Sequence, residues 1–188
     1  TVMSIIDLYD LFIHNPQITT DSRNCPKGSI FFALKGDKFD GNQYAGKALA
    51  SGCVYAVIDN PDYYIGERTI LVDNVLKTLQ QLAHHHRKVL GLPIIGITGT
   101  NGKTTTKELV GRVLSRKFHT AVTQGNLNNH IGVPLTLLAM DRSVEIGVVE
   151  MGASHPGEIA LLCSIARPDY GLITNCLLYT SDAADDLI

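Results

Sequence analysis

The spacing of apolar residues changes several times along the chain, and each change marks an expected element. In "MSIIDLYDLF" the apolar positions Ile5, Ile6, Leu8, Tyr9 and Phe12 follow a helical period. "TTDSRNCPKG" is turn-rich. "SIFFAL" is a short apolar strand, followed by "KGDKFDGNQ", a polar loop with two glycines. "YAGKALASG" reads as a helix closed by Gly52. "VYAVID" and "TILVD" are short β-rich runs. "VLKTLQQLAHHHRKVL" is a long helix ending at Gly91 and Pro93, where a domain boundary is expected.

Beyond that boundary the pattern alternates regularly. "LPIIGIT", "HTAVT", "VEIGVVEMG" and "YGLITN" read as strands, and "KTTTKELVGRVLSRK", "VPLTLLAM" and "GEIALLCSIA" as the helices between them. Near-continuous Val/Ile runs imply strands buried on both faces, and intervening helices imply a parallel sheet with crossovers. The expected fold is α/β: a small mixed α/β domain over 1–91, then a P-loop-type parallel-sheet domain from 92.

Composition narrows the class of protein. With 188 residues, 45% apolar and 18% charged, the chain can bury a real core. A net charge of −2 gives no basic surplus for nucleic acid or an anionic membrane. No apolar run reaches the roughly 18 residues of a membrane helix, and no basic segment precedes an apolar core at the N-terminus. A cytoplasmic, monomeric protein without membrane insertion is expected. Cys25, Cys53, Cys163 and Cys176 form no C-x-x-C pair, so reduced thiols are expected rather than disulfides or zinc.

The densest chemistry lies in "GITGTNGKTTTKELV", Gly96 to Val110. It presents strand, glycine turn and helix, the context of a phosphate loop. The usual G-x-x-x-x-G-K-[ST] spacing would need glycine at 97, where Ile97 stands, so the loop is a shorter variant. Gly99 and Gly102 allow the backbone to approach an anion, with Thr100 and Asn101 between them. The helix start at Lys103, Thr104 and Thr105 offers N–H groups and the positive end of the helix dipole. Lys103 can reach β- and γ-phosphates, and the Thr104 hydroxyl can ligate Mg²⁺. Glu150 closes the strand "EIGVV" and should reach the same sheet edge as a second Mg²⁺ ligand, direct or through water. ATP and Mg²⁺ are therefore the expected cofactors.

"GTNGKTTT" resembles the phosphate loop of the Mur ligases, the ATP-dependent amide-forming enzymes of peptidoglycan synthesis. "TQGNLNNHIGVPLTLL", "VVEMGASHPGEI", "TTDSR" and "IFFALKGDKFDG" are similar to members that join D-alanyl-D-alanine to UDP-MurNAc-tripeptide. The resemblance runs from about Ile5 to Asn175. It implies phosphorylation of the tripeptide's carboxylate by ATP, then attack of the dipeptide amine on the acyl phosphate. It also implies that 1–91 binds the UDP end of the substrate, and that the ATP-binding domain over 92–175 is truncated. Residues 176–188, "CLLYTSDAADDLI", depart from the family and are expected to be a non-native tail. The third, closing domain of the family is expected to be missing, and ligase activity of the 188 residues with it.

The same matching assigns further residues. Asn126 and Asn129 fall among the catalytic contacts and Asn128 among the substrate contacts, although turn chemistry accounts for each as well. Ser22 and Arg23 match the uridine-diphosphate contacts, where the planar fork of arginine suits two phosphate oxygens. Lys35, Asp40 and Gly41 match a neighbouring substrate signature or are loop structure. His155 reads as a helix-start residue. His84, His85 and His86 point about 100° apart on a helix and cannot converge on one metal. The sister ligase that adds the third peptide residue, and a nucleotide-binding module without catalysis, are the competing readings.

Overall fold

The computed structural model describes residues 3–176. The expected foreign tail thus lies, Cys176 apart, outside the described residues. The chain divides into two compact units between Val89 and Leu90.

In the first unit, strands β1 (Ile18–Thr19), β2 (Ile30–Phe32), β5 (Tyr55–Ile58) and β6 (Thr69–Leu71) form a parallel sheet in the order β1-β2-β5-β6. All three residues of β2 are buried, which requires cover on both faces. Phe31 joins the cluster built with Ala45, Ala48 and Leu49 of helix α2 (Ala45–Ser51). Alternation along the strand then turns Ile30 and Phe32 to the other face. Helices α1 (Ile5–His14) and α3 (Val75–Leu90) pack together through the histidine run. The Tyr9 hydroxyl lies 3.1 Å from His86 Nδ1, and His86 stacks edge-on to Phe12 at 5.1 Å. The run therefore builds a helix contact.

Two sequence expectations change here. The turn-rich "TTDSRNCPKG" yields its first residue, Thr19, to the short strand β1. The polar loop "KGDKFDGNQ" folds into an antiparallel pair, β3 (Lys35–Gly36) and β4 (Phe39–Asp40), and then a 3₁₀ turn over Gly41–Tyr44. Two-residue strands carry too few positions for a period to be read.

The second unit is a parallel sheet in the order β10-β7-β9-β8, from β7 (Ile94–Thr98), β8 (Thr120–Val122), β9 (Ile146–Glu150) and β10 (Tyr170–Ile173). Helices α4 (Lys103–Leu114), α5 (Gly132–Leu138) and α6 (Glu158–Ala166) connect them. β7 and β9 are central and largely buried. β10 departs from the expectation of strands buried on both faces. It lies at the edge with all four residues exposed, Ile173 at 68%. An apolar run reports hydrophobicity but not whether its strand is central.

Candidate nucleotide site

The register of the second sheet assembles the site. Ile97 of β7 lies opposite Glu150 of β9, and Thr98 opposite Ile173 of β10. The carboxyl ends of three strands thus meet where the glycine loop leaves β7. Gly99 takes φ +139° and Gly102 φ +80°, a region that disfavours any side chain. Gly102 is the N-cap of α4 and supplies no side-chain cap, so the first-turn N–H groups around Lys103, Thr104 and Thr105 face outward.

The loop residues sort into different roles. Lys103 folds back over the loop, its Nζ donating to the carbonyls of Gly99 (2.7 Å) and Thr100 (3.3 Å). Thr100 and Asn101 direct their N–H groups elsewhere, to the carbonyl and Oδ1 of Asn175 at 3.0 and 2.8 Å. The Thr174 hydroxyl donates to the Asn101 carbonyl at 2.5 Å. Thr174 and Asn175 thus fasten the loop from the end of β10. Sequence reading missed both, because nothing local links "TN" to a loop more than seventy residues earlier.

Thr104 and Glu150 come together as the motif required. The Thr104 hydroxyl donates to Glu150 Oε1 at 3.3 Å, and Asn128 Nδ2 donates to the same oxygen at 2.9 Å. Glu150 is 1% exposed, and its backbone N–H is held by the Thr123 hydroxyl at 2.9 Å. Its second oxygen, Oε2, is buried and accepts no hydrogen bond. The Thr104 hydroxyl and the Glu150 carboxylate are hard oxygen donors of the kind Mg²⁺ takes alongside phosphates and water. Among the described residues no three His, Cys, Asp or Glu side chains cluster as a metal cage. The donor set therefore fits a metal shared with a ligand.

The three asparagines part company. Asn128 reaches the carboxylate, and its carbonyl accepts from Gly152 N at 2.8 Å. Asn129 Oδ1 accepts from the N–H groups of Ile131 (3.0 Å) and Gly132 (2.8 Å) at the start of α5, which is turn chemistry. Asn126 is exposed, and its carbonyl accepts from Asn128 N. A cleft of about 450 Å³ opens beside these residues, lined among others by Lys103, Asn128, Gly152, Ser154, Glu158 and Leu162. The N–H groups of Ser154 and then His155 bond the Glu158 carboxylate and hold its pKa below the usual range.

In the first unit, Arg23 turns its fork on Asp21, with Nε and Nη2 each 2.9 Å from the carboxylate. This bond lowers the Asp21 pKa to about 2, and the Arg23 side chain stays exposed. Ser22 lies beside it, its carbonyl accepting from Cys25 Sγ at 3.5 Å. Lys35 and Asp40 belong to a network around the fully buried Asn42. Asn42 Nδ2 donates to Asp40 (2.6 Å) and Asp59 (3.0 Å), and Lys35 Nζ pairs with Asp59 at 2.8 Å. A Cβ at Gly41 would sit 2.3 Å from the Leu34 carbonyl oxygen, so that glycine permits a close backbone approach. The geometry gives these three residues structural work.

A parallel sheet with a glycine loop, a lysine and a hydroxyl–carboxylate pair at its carboxyl edge defines a phosphate-binding α/β protein. Residues 97–177 match the family model of the Mur ligase middle domain, and residues 14–87 that of the Mur ligase family catalytic domain. The chain belongs to the Mur ligase family. It is 42% identical over 185 residues to the UDP-N-acetylmuramoyl-tripeptide–D-alanyl-D-alanine ligase of Bacillus subtilis, covering 93% of this chain and 40% of that protein. Among solved structures it is similar to MurF from Acinetobacter baumannii, with a TM-score of 0.78 at 39% identity over 84% of this chain and 35% of that one. It is also similar to the MurF ligase from Thermotoga maritima in complex with ADP, with a TM-score of 0.79 at 35% identity over 88% of this chain and 38% of that one. The chain thus spans well under half the length of these relatives.

Proposed function

We propose that this chain carries the nucleotide site and the UDP-substrate module of an ATP-dependent ligase joining D-alanyl-D-alanine to UDP-MurNAc-tripeptide. The convergence of Lys103, Thr104 and Glu150 at one sheet edge carries the reading. The relatives' names and the ADP held by the Thermotoga protein support its substrates. Transfer of a phosphoryl group to a carboxylate brings two anions together, so positioning and positive charge supply most of the catalysis. Lys103, now bonded to its own loop carbonyls, would exchange them for phosphate oxygens. The α4 N–H groups would hold phosphate without adding a mobile charge. Thr104 and Glu150 would hold Mg²⁺, whose chemistry is to neutralise the developing phosphoryl charge. Asn128 would keep the carboxylate aimed. Residues 1–91 would take the UDP end of the substrate near Ser22 and Arg23, with Arg23 releasing Asp21 for a diphosphate.

The test is calorimetry with Mg·ATP on the wild type and on Lys103→Ala. The wild type should bind, and the variant should lose about ten-fold or more in affinity, the scale of a lost charge-assisted contact. Equal affinity in the two proteins would remove the nucleotide site from this loop.

A further inference from the structure

Lys107 is a buried charge with no part in the proposed chemistry. Lys107 lies one turn beyond Lys103 on α4 and is 1% exposed. Its ammonium donates to the carbonyls of Thr123 (2.9 Å) and Gly125 (3.4 Å), at the end of β8 and in the loop that carries Asn126 to Asn129. It stands 3.2 Å from Glu108 Oε1 and 3.7 Å from Glu150 Oε2. Glu108 is half exposed, and solvent screens its charge. Glu150 is the buried partner. The two oxygens of Glu150 are thus divided. Oε1 turns to Thr104 and Asn128, and Oε2 turns to Lys107, beyond hydrogen-bond distance.

We infer that Lys107 is a positioning residue, a built-in counter-cation to Glu150 that makes divalent-cation uptake depend on a nucleotide's phosphates. This rests on Thr104 and Glu150 being the metal ligands. A cation approaching Oε1 meets the Glu150 charge with the Lys107 charge close behind it. At such distances the two fields largely cancel for a third charge. One hydroxyl and one compensated carboxylate then bind a free divalent ion poorly. A nucleoside triphosphate brings the missing negative charge, and the ion enters with it. Without Lys107, Glu150 would be a buried carboxylate with no partner charge, a state proteins relieve by taking up a cation or a proton.

The test uses Mn²⁺ as a paramagnetic probe, titrated into nucleotide-free protein and followed by electron paramagnetic resonance. The wild type should bind Mn²⁺ in the millimolar range or weaker, roughly the range of sites with few charged ligands. Lys107→Met should bind it about ten-fold more tightly at pH 8, and the double variant Lys107→Met/Glu150→Gln should lose that gain. Lys107→Arg, which keeps the charge, should stay near the wild type. If Lys107 only tied α4 to the β8–α5 loop, Lys107→Met would lower the thermal midpoint and leave Mn²⁺ affinity unchanged. That result in a folded variant overturns the inference. Should Lys107→Met fail to fold, the wild type decides: micromolar Mn²⁺ binding without nucleotide overturns the inference, and millimolar or weaker binding upholds it. No arm uses ATP binding or ligase turnover, so a failure of the proposed nucleotide site would show separately in the Lys103→Ala experiment.

Discussion

Asp59 shows how much a single side chain can hold in place. Its carboxylate accepts from Asn42 Nδ2 and from the Val75 N–H at 3.1 Å, and pairs with Lys35. Burial pushes its pKa up, but the Lys35 ammonium, the Asn42 amide and the Val75 N–H outweigh burial and hold it below the usual carboxylate value. A depressed folded-state pKa adds stability that is fully present above the unfolded value of about 3.9 and is lost as pH falls through the folded one. The first unit should therefore weaken below about pH 4. Asp59→Asn should cost about 1–3 kcal/mol at pH 7, with a gap from the wild type that narrows as pH falls from 4 to 3. Thermal midpoints by circular dichroism at pH 7, 4 and 3 measure it, and a gap that stays constant would count against the assignment. Residue identity gave uneven guidance. The meeting of Thr104 and Glu150 at one sheet edge was legible because a phosphate loop has few chemical solutions. The contacts of Lys35 and Asp40 were not, since Asn42 is one position outside the motif and Asp59 lies just past the end of β5. Lys107 left a faint trace: it shares the i, i+4, i+8 stripe of Lys103 and Gly111. Only packing shows that this stripe faces the sheet, where a Cβ on Gly111 would meet Val122 Cγ2 at 2.7 Å.

Elements with several turns or several apolar residues were readable from pattern. The run "VLKTLQQLAHHHRKVL" matches α3, Val75–Leu90, end for end, because sixteen residues give many chances for a 3.6 period to show. Gly52, at φ +133°, ends α2 as its position after "ALAS" suggested. What pattern could not give was how a short element is started. α5 begins on two devices: Asn129 accepting two N–H groups, and Gly132, where a Cβ would sit 2.4 Å from the Leu127 backbone. These devices should differ in cost. Asn129→Ala removes hydrogen bonds that water can partly replace and should cost about 1 kcal/mol. Gly132→Ala forces one stretch of backbone off another and should cost about 2–3 kcal/mol. Urea unfolding of both variants ranks them, and the reverse order would mean that the β8–α5 loop yields more easily than its packing indicates.

For the whole molecule the proposal separates two ligands between two units. An NMR titration with UDP should move amide resonances around Ser22 and Arg23, and one with Mg·ATP should move those of Gly102 to Thr105. UDP shifts confined to residues after 90 would argue against the role proposed for the first unit. The alternation of strands and helices made the α/β class of the second unit legible, whereas the edge position of β10 depended on sheet order, which no single segment contains. That edge strand also bears on when the site comes into being. The Asn101 N–H and the Asn175 side chain that fixes it are 74 positions apart. A chain made from its N-terminus completes β7, the glycine loop and α4 well before Thr174 and Asn175 exist. Contacts so distant in sequence form late and slowly. The loop can carry all its own glycines and still lack its final shape until β10 has docked on β7. On the proposed reading, capacity to hold a nucleotide is then acquired only once β10 has been made and docked, and an immobilised nucleotide should retain ribosome-stalled chains that have exposed Asn175 while passing over those stalled before it.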